Sequence, residues 1–554
     1  MTAKFKVTQA EFGQQFNMER EYVVVVHKGV DLEAFDAEMA ASTGNSAIPK
    51  RSVDVVNPRI GSKRMTHWSL TEDEVRNLRT DPRVLSVEIP VDQRDDLKMI
   101  KFASQTADFT KTTAVDNAYT NWGLRRCIAE TNIYGDGATA PDNNYQYALD
   151  GTGVDIVIQD SGIEVGHPEW LDSNGVSRLQ QINWYTASGL PGVQDANHYR
   201  DWDGHGTHCA GIAAGRRYGW AKGAHIYSQK LNGLEGPGDS GGIPIADAFD
   251  AIRLWHAAKT NGRPTVVNMS WGYGATISGD PTGGLLYNDN TGVMDSWIYG
   301  DAGKSTAFEV WQTTGVVVPV ILGTFRRLPV RVPSVDAEID DMIAAGIHIC
   351  IASGNDYYVN YNYVDPLNPG HYNDAVYIGG STYYYHRGSS PRTTTSNDDC
   401  FIVGNIDVDV LNSQDKIAAS STSGPAVSIM APGTDIVSAT SNINDGYATT
   451  EHPDDSNYLI MNISGTSMAA PQVAGVCAQH LQVQPNLTPA QLWSKVTNES
   501  KSVVYDIDPG TQPDYYNYFD RALYGSPNRM LYSKYGKQPI TYSSVALNGS
   551  VQIT

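Results

Sequence analysis

Three short segments of the chain carry the side chains of a hydroxyl nucleophile, its base and the group that orients the base. Residues 160–162 read Asp-Ser-Gly, residues 203–211 read Asp-Gly-His-Gly-Thr-His-Cys-Ala-Gly, and residues 465–471 read Gly-Thr-Ser-Met-Ala-Ala-Pro. A serine hydroxyl is a weak nucleophile until an imidazole accepts its proton, and a carboxylate holds that imidazole in the correct tautomer. Together the segments predict attack on an acyl carbon by a serine.

The elements predicted around these segments favour the same chemistry. Residues 154–159 are typical of a buried strand, and the strand delivers Asp160 to its C-terminal end, where open α/β sheets place their ligands. Ser467 precedes the apolar stretch 473–478, which predicts a buried helix with the serine in its first turn. Glycine allows close approach, proline is tolerated in a first turn, and the helix N-terminus favours the negative charge that develops during the attack. We therefore predict Asp160, His205 and Ser467 as catalytic residues.

The longer strings around these residues resemble the motifs of subtilisin-like serine proteases, of the subtilisin and proteinase K type. The order Asp160, His205, Ser467 is the order of that family, and residues 163–169 match it as well. The resemblance implies an α/β fold with a doubly wound, mostly parallel sheet, and it implies a serine endopeptidase. His205 would be the base, Asp160 would orient it, and Ser467 would attack the peptide carbonyl.

A fourth residue, Asn355, fits the donor that stabilises the oxyanion of such a reaction. Residues 347–352 predict an apolar strand, and the strand leads into Ser353-Gly354-Asn355, which resembles the Ala-Ala-Gly-Asn segment of the family. An amide at this strand end, together with the backbone N–H of Ser467, would bind the negative oxygen.

The same resemblance places the strands that bind the peptide. Residues 265–272 are similar to the family strand whose backbone pairs with an extended substrate, and residues 352–354 would form the opposite wall of the S1 pocket. A glycine-rich strand after Leu231 would cover the other side of the peptide. The base of the S1 pocket is left open between residues 369–380 and 391–404. The predicted substrate-binding residues are Ser270, Trp271, Gly272, Ala352, Ser353, Gly354, Gly236 and Gly238.

Residues 238–242, Gly-Asp-Ser-Gly-Gly, reproduce the nucleophile string of trypsin-like proteases. That chemistry needs a two-barrel β fold, whereas this string opens a helical pattern from Ile245 to Trp255 in a chain of alternating strands and helices. We interpret the string as part of a glycine-rich binding loop.

The chain ahead of these motifs predicts a separate small domain over residues 1–103. Its strands and capped helices suggest an α+β, ferredoxin-like unit of βαββαβ type, which resembles the inhibitory propeptide of subtilases. The polar linker at 104–120 is the predicted processing site. The catalytic domain is predicted at 121–533, with two insertions at about 273–333 and 356–400. A β-leaning tail is predicted at 534–554.

Length, composition and charge agree with these predictions. With 554 residues, of which 41% are hydrophobic, the chain can bury a large core in more than one domain. The formal charge of -21 argues against nucleic acid as a partner. No stretch approaches the length of a membrane span, and residues 1–20 lack the basic start and apolar core of a signal peptide. We therefore expect a protein that stays inside a cell or in a particle such as a virion.

The cysteines and the missing ligand patterns argue against other cofactor chemistry. Five cysteines, an odd number, favour reduced thiols over a disulfide framework, and Cys209 is expected behind the base as a small core residue. Cys-x-x-Cys and His-Glu-x-x-His spacings do not occur, so we predict no catalytic metal and no cofactor. At residues 428–433, where related secreted proteases often carry calcium ligands, this chain offers a serine, so the sequence does not support a structural calcium site.

Two other functions share these motifs. The chain could be a subtilase-like structural module of a virion or an assembly that cleaves little or only itself, an alternative kept open by the absence of a secretion signal, the insertions and the tail. The same triad could also serve an esterase or a transferase. The leading hypothesis is a serine endopeptidase that acts on proteins and processes itself from a zymogen.

Overall fold

A computed structural model gives the structure of the chain. It describes residues 18–94, 97–101, 121–134, 145, 147–234, 241–278, 281–288, 293–298, 321–322, 325–329, 332–355, 374–378, 381–385, 399–409, 414–418, 420–422, 424, 426–444, 446–506, 523 and 526–536. The predicted linker at 104–120 lies outside these residues. So do residues 537–554 of the predicted tail and much of both predicted insertions.

Residues 20–88 form a four-stranded antiparallel sheet with two helices. The strands are β1 (Arg20–Val26), β2 (Val55–Asn57), β3 (Met65–Leu70) and β4 (Val84–Glu88), and the helices are α1 (Leu32–Ala40) and α2 (Glu72–Leu78). The strand order β2-β3-β1-β4 is that of a ferredoxin-like βαββαβ unit. Both helices start where the sequence provides a cap, because the side chains of Asp31 and Thr71 accept hydrogen bonds from the backbone of Ala34 and Glu74.

The other strands and helices follow in the described part of the chain. The strands are β5 (Leu97–Lys101), β6 (Asp155–Asp160), β7 (Leu179–Gln180), β8 (His225–Lys230), β9 (Thr265–Met269), β10 (Trp271–Ser278), β11 (Pro281–Asn288), β12 (Val293–Ile298), β13 (Ile321–Leu322), β14 (Phe325–Pro329), β15 (His348–Ala352), β16 (Asp374–Ile378), β17 (Ser381–Tyr385), β18 (Phe401–Asp409), β19 (Gln414–Ile417), β20 (Ile429–Pro432), β21 (Ile436–Thr440), β22 (Thr449–His452) and β23 (Asp455–Ile463). The helices are α3 (Trp122–Arg126), α4 (Trp184–Ser188), α5 (His205–Ala214), α6 (Ile245–Ala258), α7 (Pro333–Ala344), α8 (Thr466–Val483) and α9 (Pro489–Glu499).

The central sheet has the strand order β19-β18-β15-β9-β6-β8-β7, with β20 beside β18. Its pairs are parallel, except that β19 runs antiparallel to β18. Successive residues of β6 face opposite sides of the sheet, so Ile156 and Ile158 pack with α5 and α8, whereas Val157 packs with α6 and α7. Helices therefore cover both faces, and the predicted doubly wound α/β fold is confirmed.

Three smaller sheets complete the described architecture after residue 94. β10 lies between β5 and β14, with β13 beyond β14; β11 lies between β12 and β16, with β17 beyond β16; and β23 lies between β21 and β22. The described part of the predicted insertion at 273–333 therefore consists largely of antiparallel strands.

The N-terminal unit packs on α6 and α7 through a buried ion cluster. Arg59 Nη2 lies 3.2 Å from Asp250 Oδ2 and also pairs with Glu338, and the three side chains are between 3% and 5% exposed. Arg253 also pairs with Asp250, at 2.6 Å. Buried carboxylates are costly without a partner, so Arg59 stabilises the docked arrangement. The apolar part of this contact includes Val23, Val25 and Met65, which pack with Ala337.

Two global features bear on the sequence predictions. All five cysteines are buried free thiols. Among the described helices, none is both long enough and apolar enough to cross a membrane.

Candidate active site

The candidate catalytic side chains stand at the ends of a strand and of two helices. Asp160 is the last residue of β6, His205 is the first residue of α5, and Ser467 is the second residue of α8. Helices α5 and α8 pack against each other, so their N-termini meet at the carboxyl edge of the central sheet. All three side chains are fully buried.

Asp160 and His205 form a hydrogen-bonded pair. His205 Nδ1 lies 2.8 Å from Asp160 Oδ1, and the same oxygen accepts the backbone N–H of Ser161 at 2.7 Å. Burial, the largest single effect, favours a neutral imidazole, but the Asp160 charge together with Cys209 and the hydrogen bonds to both residues raises the pKa of His205 well above 6.5. In the neutral ring Nδ1–H donates to Asp160, so Nε2 is then the atom that can take a proton from a nucleophile, and it is buried without a partner among the described residues.

The Ser467 hydroxyl is hydrogen-bonded to the backbone of Ser270 and not to His205. Its hydroxyl donates to the Ser270 carbonyl at 3.1 Å, and the Ser270 hydroxyl donates to the Ser467 carbonyl at 2.9 Å. Cys209 shows that His205 and Ser467 are nonetheless close together, because its Sγ lies 3.9 Å from His205 Nδ1 and 3.4 Å from the Ser467 carbonyl oxygen. The thiol is buried beside the His205 ring.

Asn355 is oriented by the first residue of α8. Its Oδ1 accepts the backbone N–H of Thr466 at 2.9 Å and the Thr466 hydroxyl at 3.0 Å, and that hydroxyl accepts the N–H of Gly354 at 3.2 Å. These bonds decide which side of the amide carries oxygen. The other side, Nδ2, is buried and has no partner in the described part of the chain. It is a donor available to a negatively charged oxygen.

The first group of predicted peptide-binding residues lies next to Ser467. Ser270 connects β9 to β10, and Trp271 and Gly272 open β10. In the antiparallel pairing of β10 with β5, Trp271 stands opposite Lys101 and Gly272 opposite Ile100. The backbone of this strand therefore accepts an extended partner, here from the same chain.

The second group follows β15. Ala352 is the last residue of that strand, the Ser353 hydroxyl donates to the Thr422 carbonyl at 2.9 Å, and Gly354 contacts Thr466. Gly236 and Gly238 lie outside the described residues.

The two alternatives for the base of the S1 pocket fall in different sheets. Residues 401–404 belong to β18, the parallel neighbour of β15, whereas residues 374–378 form β16, which pairs with β11. The other residues of these alternatives lie mostly outside the described chain.

One buried carboxylate that supports the site was missed by the sequence analysis. Asp201 Oδ1 accepts the Ser161 hydroxyl at 2.9 Å and the Gly204 N–H at 2.8 Å, while Oδ2 accepts the N–H of Thr207 at 2.9 Å. Asp201 thereby caps α5 and connects it to the residue after Asp160. A carboxylate shortly before a helix start is the signal that would have identified it.

A group of metal-ligand type in the described residues coincides with the candidate catalytic site. The ligand atoms of Asp160, His205 and Cys209 lie within 4.8 Å of one another. Within this group Asp160 and His205 are hydrogen-bonded to each other. That the chain needs no cofactor stays a prediction.

Comparison with known proteins assigns the same region to a family. Residues 151–518 match the profile of the subtilase family, peptidase S8. This range contains Asp160, His205, Asn355 and Ser467, and it begins after the N-terminal unit.

Individual relatives are distant. Alkaline serine exoprotease A of Vibrio alginolyticus is 25% identical over 434 residues, which are 78% of this chain and 54% of that protein, so the match spans about half of its length. The extracellular serine proteinase of Thermus sp. (strain Rt41A) is 25% identical over 528 residues, 93% of this chain and 89% of that protein. Among solved structures, a cold adapted subtilisin-like serine proteinase has 22% identity and a TM-score of 0.42, covering 74% of this chain and 97% of its own.

The expected location inside a cell or a particle is wrong. The Thermus relative, which matches 93% of this chain, is an extracellular serine proteinase. The prediction rested on the lack of a signal-like pattern in residues 1–20, and a missing pattern is weak evidence.

Proposed function

Because the chain belongs to the subtilase family, we propose that it is a serine endopeptidase that cleaves proteins with Asp160, His205 and Ser467. The observation that carries the proposal is the buried 2.8 Å contact between Asp160 and His205, which leaves Nε2 as a base near the serine. The proteases named among its relatives do not favour the alternative of a structural module.

The proposed reaction uses each side chain in one role. Ser467 Oγ leaves the Ser270 carbonyl and attacks the peptide carbonyl carbon while His205 Nε2 takes its proton. The carbonyl electron pair moves to oxygen, where Asn355 Nδ2 and the Ser467 backbone N–H stabilise the charge. The imidazolium, stabilised by Asp160, then protonates the leaving amine as the C–N bond breaks. Water attacks the acyl-enzyme by the same route and frees the serine.

A paired assay separates the endopeptidase from the esterase alternative. The protein freed of its N-terminal unit should release peptides from casein and also hydrolyse a small ester, because a serine protease forms an acyl-enzyme from both. Hydrolysis of the ester with intact casein would instead favour the esterase.

Substitution of Asn355 by aspartate tests the oxyanion donor. Asn355→Asp keeps an oxygen for the two Thr466 bonds but removes Nδ2. We expect kcat to fall roughly 100- to 1000-fold, the magnitude that loss of one oxyanion-hole donor has in subtilisin, a member of the same family. KM on a chromogenic peptide should change little, since the donor acts on the transition state. As a control, Thr466→Val removes one hydrogen bond to Asn355 Oδ1 and should lower kcat by a smaller factor. An unchanged kcat in Asn355→Asp would exclude the proposed role of Nδ2.

We also propose that residues 1–103 act as an intramolecular propeptide that the same site removes. The unit docks on α6 and α7, and its β5 pairs with β10, the strand predicted to bind substrate. In this register Lys101 stands opposite Trp271, directly after Ser270, whose carbonyl accepts the Ser467 hydroxyl. The end of β5 therefore leads the chain toward the nucleophile.

Self-processing should be visible as a defined cut. Incubation of the wild-type protein at neutral pH should release the N-terminal unit, and N-terminal sequencing of the larger piece should find a start between about Ser104 and Asn121. Ser467→Ala should stay at full length. A rate independent of protein concentration would show a cut in cis. Full activity on casein with residues 1–101 still attached and docked would contradict the propeptide assignment and leave the protease assignment standing.

A further inference from the structure

A pocket of about 460 Å³ opens at the edge of the central sheet opposite to the candidate active site. It lies beside Pro264, which precedes β9, and His348, which opens β15. The catalytic residues stand at the carboxyl ends of the strands, so this pocket at their amino ends belongs to a different face of the molecule.

The polar wall of the pocket is basic, although the chain carries a net charge of -21. Lys259 and Arg263 line it together with two histidines, and no acidic residue lines it in the described part of the chain. Both cations reach one carboxylate behind the wall: Lys259 Nζ lies 2.9 Å from Asp155 Oδ2, and Arg263 Nη1 lies 3.5 Å from Asp155 Oδ1. One carboxylate shared by two cations leaves an excess positive charge beside the pocket.

One buried nitrogen atom of this wall, His348 Nδ1, has no hydrogen-bond partner among the described residues, whereas Arg263 Nη1 faces Asp155 Oδ1 at 3.5 Å. His348 is only 2% exposed. Burial, followed by the nearby His256, lowers the pKa of His348 to about 3, so the ring is neutral and can carry its proton on Nδ1. A buried donor is normally satisfied, so His348 Nδ1 calls for an acceptor from outside the described chain.

The remaining walls add a helix end and an apolar surface. Thr488, the N-cap of the 11-residue helix α9, and Pro489, its first residue, line the pocket. A helix N-terminus carries a partial positive charge that favours an anion. The apolar lining residues are Pro264, Ile343, Pro485 and Leu487.

We propose that this pocket binds an organic carboxylate with an apolar body, such as the C-terminal residue of a peptide. The carboxylate oxygens accept from Arg263 and His348 near the start of α9, and the apolar body packs on Leu487 and its neighbours. A guanidinium and a carboxylate form a strong charge-assisted pair, so the charge and not the body determines affinity. The site is separate from the proposed catalytic residues, so the inference does not depend on the proposed function.

Calorimetric titration of the full-length Ser467→Ala protein tests the inference. N-acetyl-leucine should bind saturably and at least about tenfold more tightly than N-acetyl-leucinamide, which has the same body without the charge. Inorganic phosphate at constant ionic strength is the third probe. Binding of phosphate without N-acetyl-leucine would overturn the organic ligand, and equal binding of acid and amide, or no saturable binding, would overturn the anion site.

Substitutions then assign the binding to this pocket and not to the cleft. Arg263→Gln should weaken N-acetyl-leucine at least about tenfold, whereas Arg216→Gln, at a 42% exposed side chain paired with Asp454, should leave it unchanged. An unchanged affinity in Arg263→Gln would place the ligand elsewhere and overturn the proposal. If that variant does not fold, Arg263→Lys keeps the charge but loses the paired donors of the guanidinium group, and it should bind N-acetyl-leucine with intermediate affinity. A wild-type affinity in Arg263→Lys would count against the proposed contact.

Discussion

Ser467→Ala should abolish labelling of the protein by a fluorophosphonate probe and lower kcat by roughly 10⁶-fold, the magnitude that loss of the nucleophile has in subtilisin. The fold should survive, because the lost hydroxyl makes a single hydrogen bond, to the Ser270 carbonyl at 3.1 Å. Such a bond contributes about 0.5–1.5 kcal/mol to stability. Labelling after removal of the N-terminal unit and the midpoint of thermal unfolding are the two measurements.

A second serine provides the control for this experiment. Ser270→Ala removes the hydroxyl that donates to the Ser467 carbonyl but keeps the nucleophile, so this variant should still be labelled. If the wild-type protein without its N-terminal unit is not labelled, the active-protease proposal fails and the structural module takes its place.

Arg59→Ala should release the N-terminal unit from the catalytic domain after the cut. The substitution leaves Glu338 and Asp250 buried with less compensation, and breaking a buried ion pair in this way costs about 3–5 kcal/mol. That cost corresponds to a docked complex weaker by a factor on the order of 100 to 4000. The delay between the completed cut, followed on a gel, and full activity on a peptide should therefore nearly vanish.

An exposed ion pair in the same unit provides the matched control. Arg76 pairs with Asp73 on the surface, with side chains 69% and 60% exposed, and such pairs contribute little. Arg76→Gln should keep the wild-type delay. If Arg59→Ala keeps it too, the ion cluster does not hold the unit in place.

The strands and the helix that carry the candidate site were predictable because buried elements have a recognisable apolar sequence pattern. The strand before Asp160, the strand before Asn355 and the helix after Ser467 are each apolar segments of a length typical for their element. Each segment adjoins a polar residue that would be costly to bury without a partner, and that residue was the candidate. The confirmed α/β fold follows from the same alternation of buried strands and helices.

Contacts between segments that are far apart in the sequence have no such local pattern and could not be predicted. Arg59 meets Asp250 and Glu338, which are 191 and 279 positions further along the chain, and nothing near Arg59 distinguishes it from a surface arginine. The bond between Ser467 and Ser270 spans 197 positions and likewise required the structure. Strands β10 and β11, within 273–333, escaped prediction because their glycines weaken the strand pattern.

The pairing of β5 with β10 has a kinetic consequence once the chain is cut. Before the cut, the two strands belong to one molecule, and their effective concentration is set by the length of the chain and not by the sample. Afterwards the N-terminal unit is a separate solute that obeys mass action. A concentrated preparation would then remain proteolytically inactive after every chain had been cut. The same preparation would become active on dilution alone. Dilution, without any further chemistry, would act as the starting signal.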